Sequence, residues 1–490
     1  MRCAIIIPAW SPEDIFPAKT AAVQINYWEP LGTLYVATAI KNAGHEVKFF
    51  NGAFMTHQQI MADLKGFRPR FVGLYSTTFG WDKANKTASD IKKIFNDVFI
   101  AVGGPYPVAI KGACLKEADD IDAVVTGEGE ITVVELLARL DEDRSLSKVH
   151  GIAYKINGNI KENRARKLIG NLDSLPFPLR AFLGDSDKCV PAPAAYRKTP
   201  VALVITSRGC DRKCIFCFQI DKTRQSKIRY RSIDNVLDEI EICLDQGYRE
   251  IKFIDDTLCA DYKRALALAE GIVERQLDFT WFASAVVNQV DEPLLRAFKK
   301  AGCWAILFGA ESGVQKNLNA IKKGITLKQT RKAVSTAKKA GLTVFTSFIF
   351  GIPGETFEDG LKTIEFACDL NPHFANFHAL TPFPGCELYD HADKYGSVSS
   401  NLADYTYQGA AFVPQTMSRE QIVRLRQTAF RQFYSRPLFI LRQIARLRNL
   451  HDARAAFTGL KSLIWIWTGK DLFGKKSDME TSFVSSVKVE

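Results

Sequence analysis

No apolar run in this 490-residue chain is long enough to span a bilayer. The stretch Met1 to Pro8 is a short strand-like apolar run with a single Arg2 and no cleavage site, so no signal peptide is expected. Eleven cysteines are too few and too scattered for a disulfide scaffold. Cys243, Cys303 and Cys368 fall in apolar patterns and read as core thiols. These absences lead to the expectation of a cytoplasmic protein in a reducing compartment, of about three domains at this length. No recognised RNA- or DNA-binding motif occurs, so no nucleic-acid partner is expected. Nor does the chain hold a catalytic dyad that would fix a reaction by itself, which leaves the chemistry to cofactors.

The densest signal that is present runs from Thr206 to Cys217. Cys210, Cys214 and Cys217 stand at a C-x3-C-x2-C spacing, directly after the apolar run Val201 to Ile205. That run reads as a buried strand, which puts the cysteines on a loop at its C-terminal end. Three thiolates this close can clamp a soft metal centre. A structural zinc would want a fourth Cys or His ligand and paired C-x2-C spacings. A closed iron–sulfur site takes four cysteines. Three, with no fourth nearby, suggest one iron left open for a ligand.

Residues 1–145 alternate strand and helix. Strands are expected at Cys3–Pro8, Glu46–Phe50, Phe71–Tyr75, Val98–Val102 and Ala123–Val125, with helices beginning near Leu31, Thr56, Trp81 and Val108 and a last one after Glu130. Five such units argue a doubly wound parallel sheet whose ligand sits outside the carboxyl ends of the strands. The loops at those ends are Ser76-Thr77-Thr78, Gly103-Gly104-Pro105 and Gly127-Glu128-Gly129-Glu130. Glycines there would let a large ligand approach the backbone. Residues 146–200 read as a hairpin turning at Asn157-Gly158, followed by a proline-containing linker.

Residues 201–385 alternate again. Strands are expected at Val201–Ile205, Glu250–Ile254, Phe279–Ser284, Ala305–Phe308, Val344–Phe350 and Ala375–Leu380. Six units fit a partial (β/α)6 barrel with its site at the C-terminal strand ends. Those ends carry the cysteine loop, Asp255-Asp256, Ser284, Asn288, Glu311-Ser312 and Gly351 to Glu355. A polar residue there can also be no more than a helix cap, the reading preferred for Thr356. Two adjacent acids at a buried strand end need a cationic partner, which singles out Asp255 and Asp256.

The cysteine loop, with the aromatic Phe216 before its last cysteine, resembles that of the radical S-adenosylmethionine (SAM) enzymes. Phe253-Ile254-Asp255-Asp256, Gly309 to Gly313 and Phe350 to Glu355 resemble three further motifs of that family. Pro30-Leu31-Gly32, Val72 to Ser76, Val102 to Pro105 and Gly127 to Glu130 resemble the cobalamin-binding domain that precedes the barrel in one of its subclasses. The resemblance implies a [4Fe–4S] cluster on Cys210, Cys214 and Cys217. It implies SAM near Phe216, Asp255, Asp256, Ser284, Glu311 and Ser312. It implies cobalamin along Ser76, Thr77, Thr78, Gly103, Gly104, Pro105, Gly127, Glu128, Gly129 and Glu130. An external electron donor such as flavodoxin or ferredoxin is implied too. One signature of many cobalamin proteins, D-x-H-x-x-G, is missing: none of His45, His57 or His150 follows an Asp by two residues. Cobalamin would then bind without a histidine from that motif, or the domain would have lost it. The reaction implied is methylation of an unactivated carbon of a small or lipid-like substrate. The alternatives are a radical oxidative cyclisation, as in the cyclase of anaerobic bacteriochlorophyll synthesis, and a non-catalytic cobalamin or iron–sulfur sensor.

Charge is uneven. Between Ser418 and Lys476 nine Arg and four Lys face only Glu420, Asp452 and Asp471, while the rest of the chain is close to neutral. Residues 386–490 are expected to form a basic helical region, with Trp465-Ile466-Trp467 near its end. A basic helix with aromatic neighbours fits the inner membrane surface; it equally fits a solvated helix packed on the barrel. Tyr389, Tyr405 and Tyr407 are candidates for a substrate pocket or for ordinary packing.

Overall fold

The computed structural model describes residues 1–14, 27–220, 227–406 and 409–445. Two parallel sheets organise it. The first holds strands β1 (Arg2–Ile7), β2 (Glu46–Asn51), β3 (Phe71–Tyr75), β4 (Phe99–Gly103), β5 (Ala123–Val125), β6 (Ile152–Ile156) and β7 (Asn159–Glu162), in the order β2-β1-β3-β4-β5-β6-β7. Helices α1 (Leu31–Asn42), α2 (His57–Phe67), α3 (Trp81–Lys92), α4 (Pro105–Ile110) and α5 (Gly129–Asp141) follow the first five strands. The central strands β1, β3, β4 and β5 are apolar almost throughout, as strands covered on both faces require, whereas the edge strands β2 and β7 carry charged residues. Ile6, Val72 and Val102 pack on one side; Ile5, Phe71 and Ala101 pack on the other.

The hairpin β6–β7 turns at Asn157 and Gly158, whose φ angles of 50° and 75° are those of the tight turn that suits twisted strands. It does not stand apart as a connector. β6 runs antiparallel to β5, so the pair extends the N-terminal sheet.

The second sheet holds β8 (Val201–Val204), β11 (Glu250–Phe253), β12 (Thr280–Ala285), β13 (Cys303–Glu311), β14 (Thr343–Phe350) and β15 (Phe374–Ala379), all parallel and in chain order. Two short antiparallel strands, β9 (Ser207–Arg208) and β10 (Arg229–Tyr230), follow β8 and frame the cysteine loop. Six parallel strands make the expected open barrel. Its inner face is filled by a group of Phe282, Trp304, Phe345 and Phe374. Its outer face packs under the helices in the largest core of the molecule.

The expected wholly helical C-terminal region contains more. β16 (Gly396–Val398) and β17 (Phe412–Pro414) form an antiparallel pair, because this short segment alternates polar and apolar residues too irregularly to declare itself. Then helix α13 (Arg419–Tyr434) buries Ile422, Leu425, Ala429 and Phe433 against the barrel. Leu425 lies so close to Gly360 that a Cβ there would meet its Cδ1 at 2.4 Å. Helix α14 (Pro437–Ala445) exposes Leu438, Leu441 and Ile444, at 68%, 61% and 59%. Among the described residues no helix is long and apolar enough to cross a membrane. Trp465-Ile466-Trp467, Tyr407 and most of the basic segment lie outside the described residues.

The two sheets meet through Leu31, Tyr35 and Leu203. A buried charge group stitches the same contact. Arg180 of the linker donates to Glu29 at 3.4 Å and to Glu239 at 2.9 Å, and Arg231 donates to Glu239 at 2.5 Å. Glu29 also accepts from the Leu203 amide at 2.8 Å. Removing Arg180 would leave Glu29 buried without its cation, and removing Glu239 would leave Arg231 without its anion, so the two inner members of this chain of charges fix the contact.

Candidate functional site

The carboxyl ends of both sheets face one continuous cavity of about 1000 Å³. Its wall includes Gly103, Gly104 and Glu128 from the N-terminal sheet and Gly209, Cys210 and Asp256 from the barrel. The glycine at 104 is there for a steric reason. Its φ is 112°, and a Cβ would stand 2.4 Å from the Ser76 carbonyl oxygen. Pro105 then opens α4, where its missing N–H is no loss. Gly127 has nothing within 4 Å of where a Cβ would be, so its backbone is open to the cavity.

The structure separates the expected ligand residues into two groups. Thr77, Gly103, Gly104, Pro105 and all of Gly127 to Glu130 line the cavity. Ser76 and Thr78 do not: both are buried, and the Ser76 hydroxyl donates to the Thr77 carbonyl at 3.0 Å. Glu128 and Glu130 line the wall, but their carboxylates are already held. Arg208 donates to Glu128 at 2.9 Å and to Glu130 at 2.6 Å. Arg229 donates to Glu128 at 2.8 Å. Burial pushes the Glu128 carboxyl up, but the Ile169 amide and the Arg208 guanidinium outweigh it and hold it below the usual range.

The cysteine loop is braced from several sides. Arg212 donates to Asn288 at 3.0 Å, which donates to the Gly324 carbonyl at 3.2 Å. Ile215 N–H donates to the Ile321 carbonyl, and Leu388 N–H donates to the Ile215 carbonyl. Phe216 is half-buried and packs against the group of Ile321, Ile349 and Ile352, so packing accounts for its ring. A hydrogen bond with Cys214, and then burial, push the Cys217 thiol up; burial does the same to Cys210. Among the described residues no three His, Cys, Asp or Glu side chains converge on a single ion. A cluster, in contrast, offers each thiolate its own iron, and that fits three cysteines spread over eight residues.

The adjacent acids divide their work. Asp255 is buried and accepts from the Thr206 amide at 3.0 Å, the Thr206 hydroxyl at 2.8 Å and the Ser207 hydroxyl at 2.6 Å. It ties β11 to the start of the cysteine loop and, unlike Asp256, does not line the cavity. Asp256 lines the cavity beside Gly209 and Cys210, and burial raises its carboxyl against the Gly209 amide. Ser284 is half-buried on β12 and lies outside the cavity wall. Ser312 is buried, and its hydroxyl is taken up by Thr363 at 3.1 Å, the Val314 amide and Asn317. It braces the turn between β13 and α9 (Gln315–Ala320) and does not line the cavity. Thr356 caps the helix that follows it, as read from the sequence. Glu355 accepts from the Gly351 and Ile352 amides and shapes that turn.

Glu311 stands at a bulge in β13 with φ of 60°, and Lys323 donates to it at 2.5 Å. Sequence reasoning passed over Lys323. Burial lowers its ammonium, but the charge of Glu311 outweighs this and Cys214 adds to it, so the net direction is up. Its only signal was a basic pair, Lys322-Lys323, ahead of Gly324. Arg208 and Arg229 were passed over as well, although Arg208 stands two residues before the first cysteine of the loop. Of the histidines, His45 Nδ1 sits 3.1 Å from the N-terminal amine and His57 Nε2 sits 3.0 Å from Asp90. Neither belongs to the cavity wall.

A three-cysteine loop on a six-stranded open barrel, facing the glycine loops of a doubly wound domain, defines a two-cofactor radical enzyme. Residues 204–367 match the Radical SAM superfamily model and residues 20–137 match the B12 binding domain model. An uncharacterized methyltransferase of Pyrococcus horikoshii is 36% identical over 423 residues, covering 85% of this chain and 90% of that protein. The anaerobic magnesium-protoporphyrin IX monomethyl ester cyclase of Rubrivivax gelatinosus is 28% identical over 425 residues, covering 84% and 75%. The solved radical SAM methyltransferase TsrM of Kitasatospora setae, with tryptophan and a SAM analogue bound, superposes with a TM-score of 0.69 at 17% identity, covering 99% and 100%. The chain belongs to the cobalamin-dependent radical SAM enzymes, of the methyltransferase type, and its cofactors are a [4Fe–4S] cluster, SAM and cobalamin.

Proposed function

We propose that the protein methylates an unactivated carbon of a small or lipid-like substrate. One observation carries this reading: the cobalamin loops and the cysteine loop open into the same cavity, so a methyl carrier and a radical source would share one chamber. When bound, the cluster and cobalamin supply one-electron cleavage of SAM and a transferable methyl group. The chain's own residues supply position and polarity. Cys210, Cys214 and Cys217 hold the cluster. Asp256 accepts from the SAM ammonium. Lys323, paired with Glu311 and near enough to Cys214 and Cys217 for their charges to act on it, would add positive charge beside the cluster loop. Gly103, Gly104 and Gly127 let the corrin ring lie against backbone, and the aliphatic wall of Ile5, Val36, Val102 and Val125 keeps water from it. Among the described residues no histidine lines this wall, so none there would ligate cobalamin.

The working division is a cobalamin domain over 1–145, a hairpin and linker over 146–200, the radical barrel over 201–385 and a basic region over 386–490. The electrons come from an external donor of the flavodoxin or ferredoxin kind. The exposed Leu438, Leu441 and Ile444 of α14 lie in a stretch of seven arginines without an acid, from Gln421 to His451. That combination supports contact with an anionic membrane surface, at the inner face of the cell membrane, and hence a substrate soluble in it.

The test is SAM carrying a trideuterated methyl group, supplied with reductant and a lipid extract of the host. A product heavier by the label, with one S-adenosylhomocysteine and one 5′-deoxyadenosine per turnover, is expected. Turnover of the true substrate without label transfer would refute methylation and favour the cyclase reaction of the Rubrivivax relative.

A further inference from the structure

We infer that Arg208, together with Glu128, Glu130 and Arg229, is a clamp that sets the spacing between the cobalamin loop and the cluster loop. The inference rests on the two-cofactor reading above and adds to it the residues that fix how far apart the two centres lie.

The clamp joins segments far apart in sequence. Arg208 Nη1 donates to Glu128 Oε1 at 2.9 Å and Arg208 Nη2 donates to Glu130 Oε1 at 2.6 Å. Arg229, directly opposite Arg208 on the β9–β10 ribbon, donates to both oxygens of Glu128, at 2.8 and 3.0 Å, and to the Ile169 carbonyl at 2.7 Å. The Ile169 amide donates back to Glu128 at 2.7 Å. The Arg208 guanidinium also lies 5.5 Å from the centre of the Tyr35 ring. Two positive and two negative groups close on one another, with side-chain exposures of 16% or less.

Three features make this a spacer and more than a fastening. First, each side leads straight into a cofactor loop. Arg208 is two residues from Cys210, and Glu128 and Glu130 are two members of the Gly127-to-Glu130 loop. Second, one guanidinium reaches two separate carboxylates, so both distance and orientation are fixed; apolar contacts would allow sliding. Third, none of the four side chains belongs to the hydrophobic core of either half. Loosening the clamp therefore frees the Gly127-to-Glu130 loop against the cysteine loop, while Arg180, Glu29 and Glu239 still hold the two sheets together. Transfer between two bound centres is steep in distance, and a displacement of about 1 Å costs up to about a hundredfold in rate.

The variants are Arg208→Met, Arg208→Lys and Glu130→Gln in the full chain, reconstituted with cluster and cobalamin. The decisive readout is the distance distribution between Co(II) and the reduced cluster from pulsed paramagnetic resonance, taken beside iron content and cobalamin affinity. SAM-dependent methylation of reduced cobalamin is followed in parallel against 5′-deoxyadenosine release. With cobalamin supplied to saturation, we expect full iron and a broadened or displaced distribution in Arg208→Met and Glu130→Gln, with cobalamin methylation falling far more than 5′-deoxyadenosine release. Arg208→Lys, which keeps one contact, should lie between them and the wild type. An unchanged distribution in the loaded Met and Gln variants would overturn the inference, as would loss of both cofactors in the two together. No cobalamin uptake by the wild-type chain would overturn the two-cofactor reading as well, so the two failures are told apart.

Discussion

Asp255 and Asp256 are neighbours in sequence with opposite expected phenotypes. Replacing Asp255 by Ala strips three donors of their acceptor: the Thr206 amide, the Thr206 hydroxyl and the Ser207 hydroxyl. It also removes the negative charge that faces Arg264, which donates to the Thr206 hydroxyl at 3.0 Å. Hydrogen bonds to a charged acceptor contribute about 1.5–3 kcal/mol each and are not additive. A buried donor left without its acceptor costs about 1–3 kcal/mol, and three donors sharing one carboxylate set the expected destabilisation of Asp255→Ala at about 3–5 kcal/mol. Asp256→Ala removes a carboxylate from the cavity wall and leaves that network intact. Its expected effect is on SAM alone, about ten- to hundredfold in dissociation constant for one charge-assisted hydrogen bond of about 1.5–3 kcal/mol. The assay pairs urea unfolding of the metal-free chain with SAM titration of the reconstituted protein. Asp255→Ala unfolding at the wild-type midpoint, or Asp256→Ala binding SAM as tightly as wild type, would refute the division of roles.

Replacing Cys210, Cys214 and Cys217 together by Ala should abolish iron uptake and all SAM cleavage; a triple variant with a full cluster spectrum would contradict the assignment. Gly104→Ala should destabilise the apoprotein by about 2–4 kcal/mol and weaken cobalamin uptake, since the backbone there is nearly glycine-only and the new Cβ meets a carbonyl. Gly103→Ala, whose Cβ would have only Val125 at 3.8 Å, should change stability by less than about 0.5 kcal/mol in the same urea titration. Liposome flotation should depend on anionic lipid and weaken with salt, each Lys or Arg near the surface adding about 1 kcal/mol. Equal flotation of a chain ending before Ser418 would speak against membrane contact through this region.

Strands such as β1, β3, β4 and β8 were legible because they are near-continuous apolar runs ended by Gly, Pro, Ser or Thr, and buried parallel strands leave that mark. Phe71–Tyr75 and Ala123–Val125 coincide with expectation to the residue. β13 was foreshortened, because the bulge at Gly309–Glu311 continues the strand through residues that read as a loop. The three-cysteine loop was legible because its spacing has few alternative uses. The polar residues around it were less so. A carboxylate at a strand end has the same letter whether it meets a ligand, as Asp256 can, or a neighbouring loop, as Asp255 and Glu128 do. Which applies depends on what the other half of the chain brings opposite. Arg208 and Lys323 escaped for the same reason: a lone cation acquires meaning only from the acids and thiols that the fold sets against it.

The shared cavity bears on how the protein is made. The wall of the cobalamin seat begins with Ile5 and is completed by Phe383 and Tyr405. At about 5–20 residues per second, a ribosome that has released the first sheet needs roughly 12–50 s more to deliver the last of that wall. During that interval the chamber lacks one wall, so Gly103, Gly104 and Gly127 face a side that only the finished chain closes. A chain stopped short of Phe383 would present an open apolar face in place of the finished cavity.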